Sequence, residues 1–142
     1  MLYKNLIFQG VITTVKITSD NKLIISGSQD NSIKVFDFDT KREVHHFQNA
    51  HQRSITSVAI TADNRFIISG SHDTSLKIFD LYTKQEVYHF QNAHQSFITS
   101  VAVTSDNKFI VSGSHDKSIK IFDFDTKKEI YHFQNVHQGR SQ

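Results

Sequence analysis

Serine, histidine and aspartate stand within five residues of one another at Ser69-Gly70-Ser71-His72-Asp73, and the same stretch returns at 112–116. A variant with glutamine in place of the histidine occupies 26–30. These are the parts of a hydrolytic triad, in which a hydroxyl attacks an acyl carbon, an imidazole takes its proton and a carboxylate orients the imidazole. That chemistry also requires an exposed nucleophile, an oxyanion hole and a substrate pocket. Ser69 has no Gly-x-Ser-x-Gly elbow around it. An active site is seldom written into every structural unit of a chain, whereas a hydrogen-bonded core device must recur wherever the unit recurs. The triple is therefore read as a buried fastener, and the chain as no enzyme.

Other residue types suggest other chemistry. Nine histidines raise the question of a metal, and His46, His89 and His132 recur in register. If they lie in separate stacked sheets, they are about 10 Å apart, while a metal–nitrogen bond is about 2 Å. No metal site and no cofactor are expected. Lys34, Lys77 and Lys120 form a second repeated row, read as stems lying along apolar surface with ammonium groups reaching water rather than as a phosphate track. The net charge is +2 with the signs interspersed, unlike the basic stripe of a nucleic-acid binder. No run of 18 apolar residues offers a membrane span. The absence of cysteine, of a signal-peptide pattern at the start and of an Asn-x-Ser/Thr sequon points to an intracellular location, cytoplasmic or nuclear.

The elements that position these residues come in three copies. Units beginning at Ile12, Ile55 and Ile98 follow one another with a period of 43 residues. The second and third agree at 30 of 43 positions and the first and second at 28, too many for chance and with no composition shift between them, so a single domain, 1–142, is expected. Each unit reads as four short strands. In the second unit these are 55–61, with apolar residues on both faces, then 66–71 and 75–80, rich in β-branched and aromatic residues, and the more polar 86–91, placed at an edge. Asp and Asn at 62–64 suit a tight turn, because both tolerate left-handed backbone. No window has the three-and-four apolar spacing of a helix. A four-stranded antiparallel sheet with two apolar faces must stack on others like itself, which is the arithmetic of a β-propeller blade. The blades are expected at about 11–48, 55–91 and 98–134.

At this level the chain resembles the WD-repeat family. Each unit carries Ser-Gly-Ser-x-Asp and then a Phe-Asp pair where the family has Trp-Asp, ending at Asp37, Asp80 and Asp123. The family's Gly-His corresponds to Ala50-His51, Ala93-His94 and Val136-His137. The resemblance implies a structural tetrad of His51, Ser69, Asp73 and Phe79 in the second blade, and of His94, Ser112, Asp116 and Phe122 in the third. The first blade offers Ser26, Asp30 and Phe36, with Phe8 standing where the histidine is expected. Phenylalanine for tryptophan removes an indole N–H from every blade, so one hydrogen bond in each network, about 0.5–1.5 kcal/mol net, is expected to be lost or rerouted.

The resemblance also implies a function. Residues just after each blade-opening histidine diverge while the core repeats, and variable loops on a repeated scaffold are where recognition resides. The candidate partner-binding rim is Arg53, Ser54, His72, Ser96, Phe97 and His115, with Arg53 and Phe97 foremost because arginine and aromatic residues anchor interfaces. The expectation is a protein-interaction scaffold that presents a rigid rim to a protein or peptide partner, with neither nucleic acid nor membrane. The alternative is an assembly module whose exposed blade faces complete a propeller with another chain. Three blades do not close a ring, since propellers have about four to eight. Either the chain is a segment of a longer propeller, which Phe8 favours, or copies of it associate, for example two giving six blades. His137 stands ready to fasten a following blade.

Overall fold

The computed structural model describes residues 10–137, so Phe8 lies outside the described residues. Twelve strands form three sheets and the described residues contain no helix. The first sheet holds β1 (Ile12–Ile17), β2 (Leu23–Ser28), β3 (Ile33–Asp37) and β4 (Glu43–Phe47). The second holds β5 (Ile55–Ile60), β6 (Phe66–Ser71), β7 (Leu76–Asp80) and β8 (Gln85–Phe90). The third holds β9 (Ile98–Val103), β10 (Phe109–Ser114), β11 (Ile119–Asp123) and β12 (Glu129–Phe133). In every sheet the strands pair antiparallel in sequence order, so β4, β8 and β12 are edges. This is an all-β propeller arc of three blades that does not close a ring.

The turns follow from residues that accept left-handed backbone. Asn21, Asn64 and Asn107, at φ 61°, 60° and 62°, close the first hairpin of each blade. Asn31, Thr74 and Lys117, at φ 72°, 72° and 71°, close the second. Asparagine accepts this geometry readily, whereas a β-branched threonine there is strained.

Period-two alternation gives each blade two apolar faces, and two clusters fill the two gaps between blades. In the first gap Ile25, Ile33, Val35 and Phe47 of the first blade meet Val58, Ile67, Phe79 and Leu81 of the second. In the second gap Ile68, Leu76, Ile78 and Phe90 meet Val101, Ile110, Phe122 and Phe124. Fully burying each such side chain contributes about 1.5–3 kcal/mol. Among the described residues only the middle blade is covered on both sides. β5 is buried on alternate faces, as its sequence suggests, while the same pattern in β1 and β9 leaves most positions exposed or partly so.

A bulge at the start of each innermost strand ties the blades together. The register slips around Thr13, Thr56 and Thr99. The extra residue turns its hydroxyl toward the following blade. The Thr13 hydroxyl lies 2.6 Å from the Ile55 carbonyl oxygen, and the Thr56 hydroxyl 2.7 Å from that of Ile98. Opposite each bulge a glycine lets the next blade approach. A Cβ on Gly27 would lie 2.5 Å from Ile55 Cγ2, and one on Gly70 2.5 Å from Ile98 Cγ2.

Candidate functional site

His51 sits in the loop between β4 and β5, Ser69 in the middle of β6 and Asp73 in the turn from β6 to β7. Stacking of the blades brings the three together. His51 Nε2 is 2.7 Å from Ser69 Oγ, and His51 Nδ1 is 2.9 Å from Asp73 Oδ2. The third blade repeats this at 2.8 Å for His94 Nε2 to Ser112 Oγ and 2.9 Å for His94 Nδ1 to Asp116 Oδ2. An ionised carboxylate only accepts, so the Nδ1–H donates to it. In the neutral ring Nε2 is then the acceptor for the serine hydroxyl.

The connectivity is that of a hydrolytic triad, but the setting is not. Ser69 is 0 % exposed and His51 2 %, so no substrate carbonyl can approach the hydroxyl. Ser112 and His94 are buried in the same way. The Ser-His-Asp written consecutively is also not the group that forms: His72 and His115 belong to the surface, and the imidazoles that bond the serines come from the preceding loop.

Each network has members that the sequence reading did not single out. The Ser75 and Ser118 hydroxyls lie 3.1 and 3.0 Å from the same histidine Nδ1 atoms. Both also donate to the aspartate Oδ1. The Gln52 and Gln95 backbone N–H groups donate to Asp73 and Asp116 Oδ2 at 3.1 and 3.0 Å. Burial alone would raise the Asp73 pKa, yet the His51 and Ser75 hydrogen bonds hold it well below the usual carboxylate range. Burial opposes ionisation of Asp116 too, and Ser118, the Gln95 N–H and His94 overcome it. Burial lowers His94 despite its bond to Asp116, so the pair is a neutral imidazole donating to a carboxylate.

Phe79 and Phe122 take no part in the polar network. They pack against edge-strand phenylalanines of the preceding blade, Phe47 and Phe90, with ring centroids 4.8 and 4.9 Å apart. The network closes without an indole: phenylalanine brings no donor to satisfy, and the only buried side-chain polar atom without a partner among the described residues is His46 Nε2. The first blade keeps part of the arrangement. Asp30 Oδ1 accepts from the Ser32 N–H at 3.0 Å and from its hydroxyl. Phe36 and Ser26 line a groove of about 320 Å³ on the open face of that blade.

The lysine row is more engaged than solvation alone would give. Lys34, Lys77 and Lys120 pair across the sheet with Glu43, Glu86 and Glu129 at 3.1, 3.0 and 3.1 Å. Lys120 Nζ also donates to the Ala93 carbonyl at 2.8 Å, reaching the preceding blade. His46, His89 and His132 line three separate small polar clefts. Among the described residues no three metal-ligating side chains converge.

The rim candidates fall into two groups. Phe97 lies between two histidines, with ring centroids 4.6 Å from His72 and 4.6 Å from His115, the second contact stacked at 25°. This ladder joins the second and third blades, and its two outer members are exposed. Main-chain bonds hold it in place: the His115 N–H donates to the Phe97 carbonyl and the His72 N–H to that of Ser54, both at 3.0 Å. The Ser96 carbonyl accepts from Ser114 Oγ at 3.3 Å, and the Arg53 carbonyl from Ser71 Oγ at 3.2 Å. Arg53 is exposed beside these turns and does not join the ladder.

The comparisons agree with this geometry. A structure titled as that of the RRP9 WD40 repeats superimposes with a TM-score of 0.83 at 23 % sequence identity, over 87 % of this chain and 38 % of that one. A structure of U3-55K does so with the same score and identity, over 87 % of this chain and 39 % of that one. The chain thus spans well under half the length of either. No curated protein matches it by sequence. The WD domain, G-beta repeat family model matches residues 5–37, 41–80 and 84–123, most of the chain. With three matching repeats and the propeller blades they build, the chain belongs to the WD-domain, G-beta repeat family.

Proposed function

We propose that the chain is a protein-interaction scaffold whose rim holds a protein or peptide segment at the His72–Phe97–His115 ladder. The observation that carries this reading is the ladder itself: three rings in contact at the junction of two blades, Phe97 stacked on His115 and tilted against His72, with backbone bonds fixing their turns. A rigid aromatic platform loses little conformational freedom on binding, and aromatic residues are enriched among the side chains that dominate interface energies. The exposed Arg53 supplies a guanidinium nearby in the same rim for a carboxylate on the partner. The buried Ser-His-Asp clusters fasten the blades and transform no substrate.

Phe97→Ala and Arg53→Ala, compared with the unsubstituted chain in affinity capture from a peptide display library, test the assignment. Enriched peptides should bind the Phe97→Ala protein at least about tenfold more weakly, the loss of a single anchor residue. The far-ultraviolet spectrum and melting temperature should stay close to those of the unsubstituted chain. Peptides that bind both proteins equally would refute the site. A serine-directed phosphonate tests the fastener reading, and labelling of Ser69 or Ser112 in the folded protein would contradict it.

A further inference from the structure

The carboxylates of the chain are not shared evenly between the two ends of the blades. Of 14, only Asp30, Asp73 and Asp116 stand at the end that carries the ladder. The others lie at the opposite end, in its turns or at the strand termini that flank them, among lysines and arginines. We infer that the segment held at the His72–Phe97–His115 ladder is acidic, with aspartate or glutamate carboxylates on both sides of the residue that meets the rings. The inference rests on the ladder being the docking site and adds the chemistry of the partner.

The two carboxylates beside the ladder face inward. Asp73 and Asp116 directly follow His72 and His115, yet their side chains are only 11 % and 12 % exposed. Each accepts four hydrogen bonds. Asp73 takes them from the Ser75 N–H and hydroxyl, His51 Nδ1 and the Gln52 N–H. Asp116 takes them from the Ser118 N–H and hydroxyl, His94 Nδ1 and the Gln95 N–H. A carboxylate has about four lone-pair sites, so neither keeps an acceptor for a partner's lysine or arginine.

The cations face outward. Arg53 is exposed in the loop that leads into the blade of His72, and Lys117 is exposed two residues after His115 in the next blade. Neither is in an ion pair among the described residues, whereas Arg65 at the opposite end is held by Asp80. Main-chain bonds at 3.1 Å to Ser114 and from Val136 fix the backbone of Lys117. The rim thus presents flat rings with a cationic donor on each of the two blades they join.

Single cations on different blades suit separate single charges, whereas a phosphate calls for several converging donors. Asp73 and Asp116 keep their charge, so the rim lacks the broad positive field that holds a nucleic-acid backbone. Its effect is selection: a basic segment meets like charge and no free acceptor, and an acidic one meets donors.

An array of short synthetic peptides, probed with the full chain, tests the inference. Each peptide has an aromatic residue or leucine at its centre, flanked by Asp/Glu, Asn/Gln, Lys/Arg or phosphoserine. Acidic peptides should bind at least about tenfold more tightly than their amide counterparts. The difference should shrink at about 1 M salt, where charges are screened within about 3 Å. Arg53→Glu combined with Lys117→Glu, with folding verified by circular dichroism, should transfer the preference to the Lys/Arg peptides. Phe97→Ala should weaken the acidic peptides without transferring it. Acidic and amide peptides bound equally, and both weakened by Phe97→Ala, would overturn the acidic partner and leave the ladder standing. Binding indifferent to Phe97→Ala, or no binding to any peptide, would overturn the ladder and the inference with it. Binding confined to phosphoserine peptides would contradict the carboxylate assignment. A single-stranded DNA oligonucleotide bound as tightly as the acidic peptides would contradict it too, since any polyanion would then suffice.

Discussion

Replacing Ser69 by alanine removes one hydroxyl from the middle of a strand and leaves His51 Nε2 facing a methyl group in the buried gap between two blades. The hydroxyl is 2.7 Å from that nitrogen and the serine is 0 % exposed, so no water can take its place without opening the blades. The cost is that of a buried acceptor left unpaired, about 1–3 kcal/mol, and not the smaller net value of an exchanged hydrogen bond. With a urea slope of about 2 kcal/mol/M, the unfolding midpoint should fall by roughly 0.5–1.5 M with no change in slope. Ser112→Ala, at 2.8 Å from His94 Nε2, should behave alike. Ser54→Ala and Ser96→Ala use the same chemistry at the rim and should stay within about 0.5 kcal/mol. In a double-mutant cycle His51→Leu should cost less once Ser69 is alanine, with a coupling of about 0.5–3 kcal/mol. Ser69→Ala costing no more than the rim substitutions, or additivity with His51→Leu, would refute the idea that these clusters fasten the blades.

Gly70→Ala should destabilise by about 1–3 kcal/mol in urea unfolding, because the added methyl falls 2.5 Å from Ile98 Cγ2 and 2.9 Å from Val101 Cγ1; a neutral effect would mean that the blades are not pressed together there. Thr74→Asn should raise stability by up to about 1 kcal/mol, since Thr74 carries a φ of 72° that Asn31 holds at the same place in the first blade; a lower melting temperature would count against the turn assignment. Acid should destabilise. Burial holds folded His94 below its ordinary 6.5, so the unfolded chain protonates first and stability falls as pH drops through that value. Asp73 and Asp116 are held well below 3.8, so their contribution, present above that pH, is lost as pH falls below it. Melting curves across this range should show both declines, with the upper one reduced in His94→Asn; a melting temperature that rises on acidification would contradict the network.

The blades were legible because the same physical requirement is written three times: alternating β-branched strands, turn asparagines and a 43-residue period leave little room for another architecture. The convergence of His51 on Ser69 and Asp73 depended on the family resemblance, since the nearer histidine in sequence, His72, points elsewhere. Ser75 and Ser118 could have been noticed, because a serine recurs two residues after each turn aspartate. Adjacent to a turn, it reads as turn chemistry rather than as a partner of a distant imidazole. The Thr56 bulge and the Gly70 notch were not legible, because both acquire meaning only from where the next blade stands. The placement of Phe97 between His72 and His115 is of the same kind: His72 and Phe97 belong to different blades, and only the spacing between blades brings their rings to 4.6 Å.

Nitrogen-15 spectroscopy of the histidine side chains measures most directly whether polar clusters are sealed between stacked blades. In the folded protein at neutral pH, His94 should be the neutral tautomer protonated at Nδ1, and that proton should exchange slowly with solvent. His51 should show the same slowly exchanging Nδ1 proton. A proton on Nε2 of His94, or Nδ1 protons that exchange as fast as those of the exposed His72 and His115, would contradict the account.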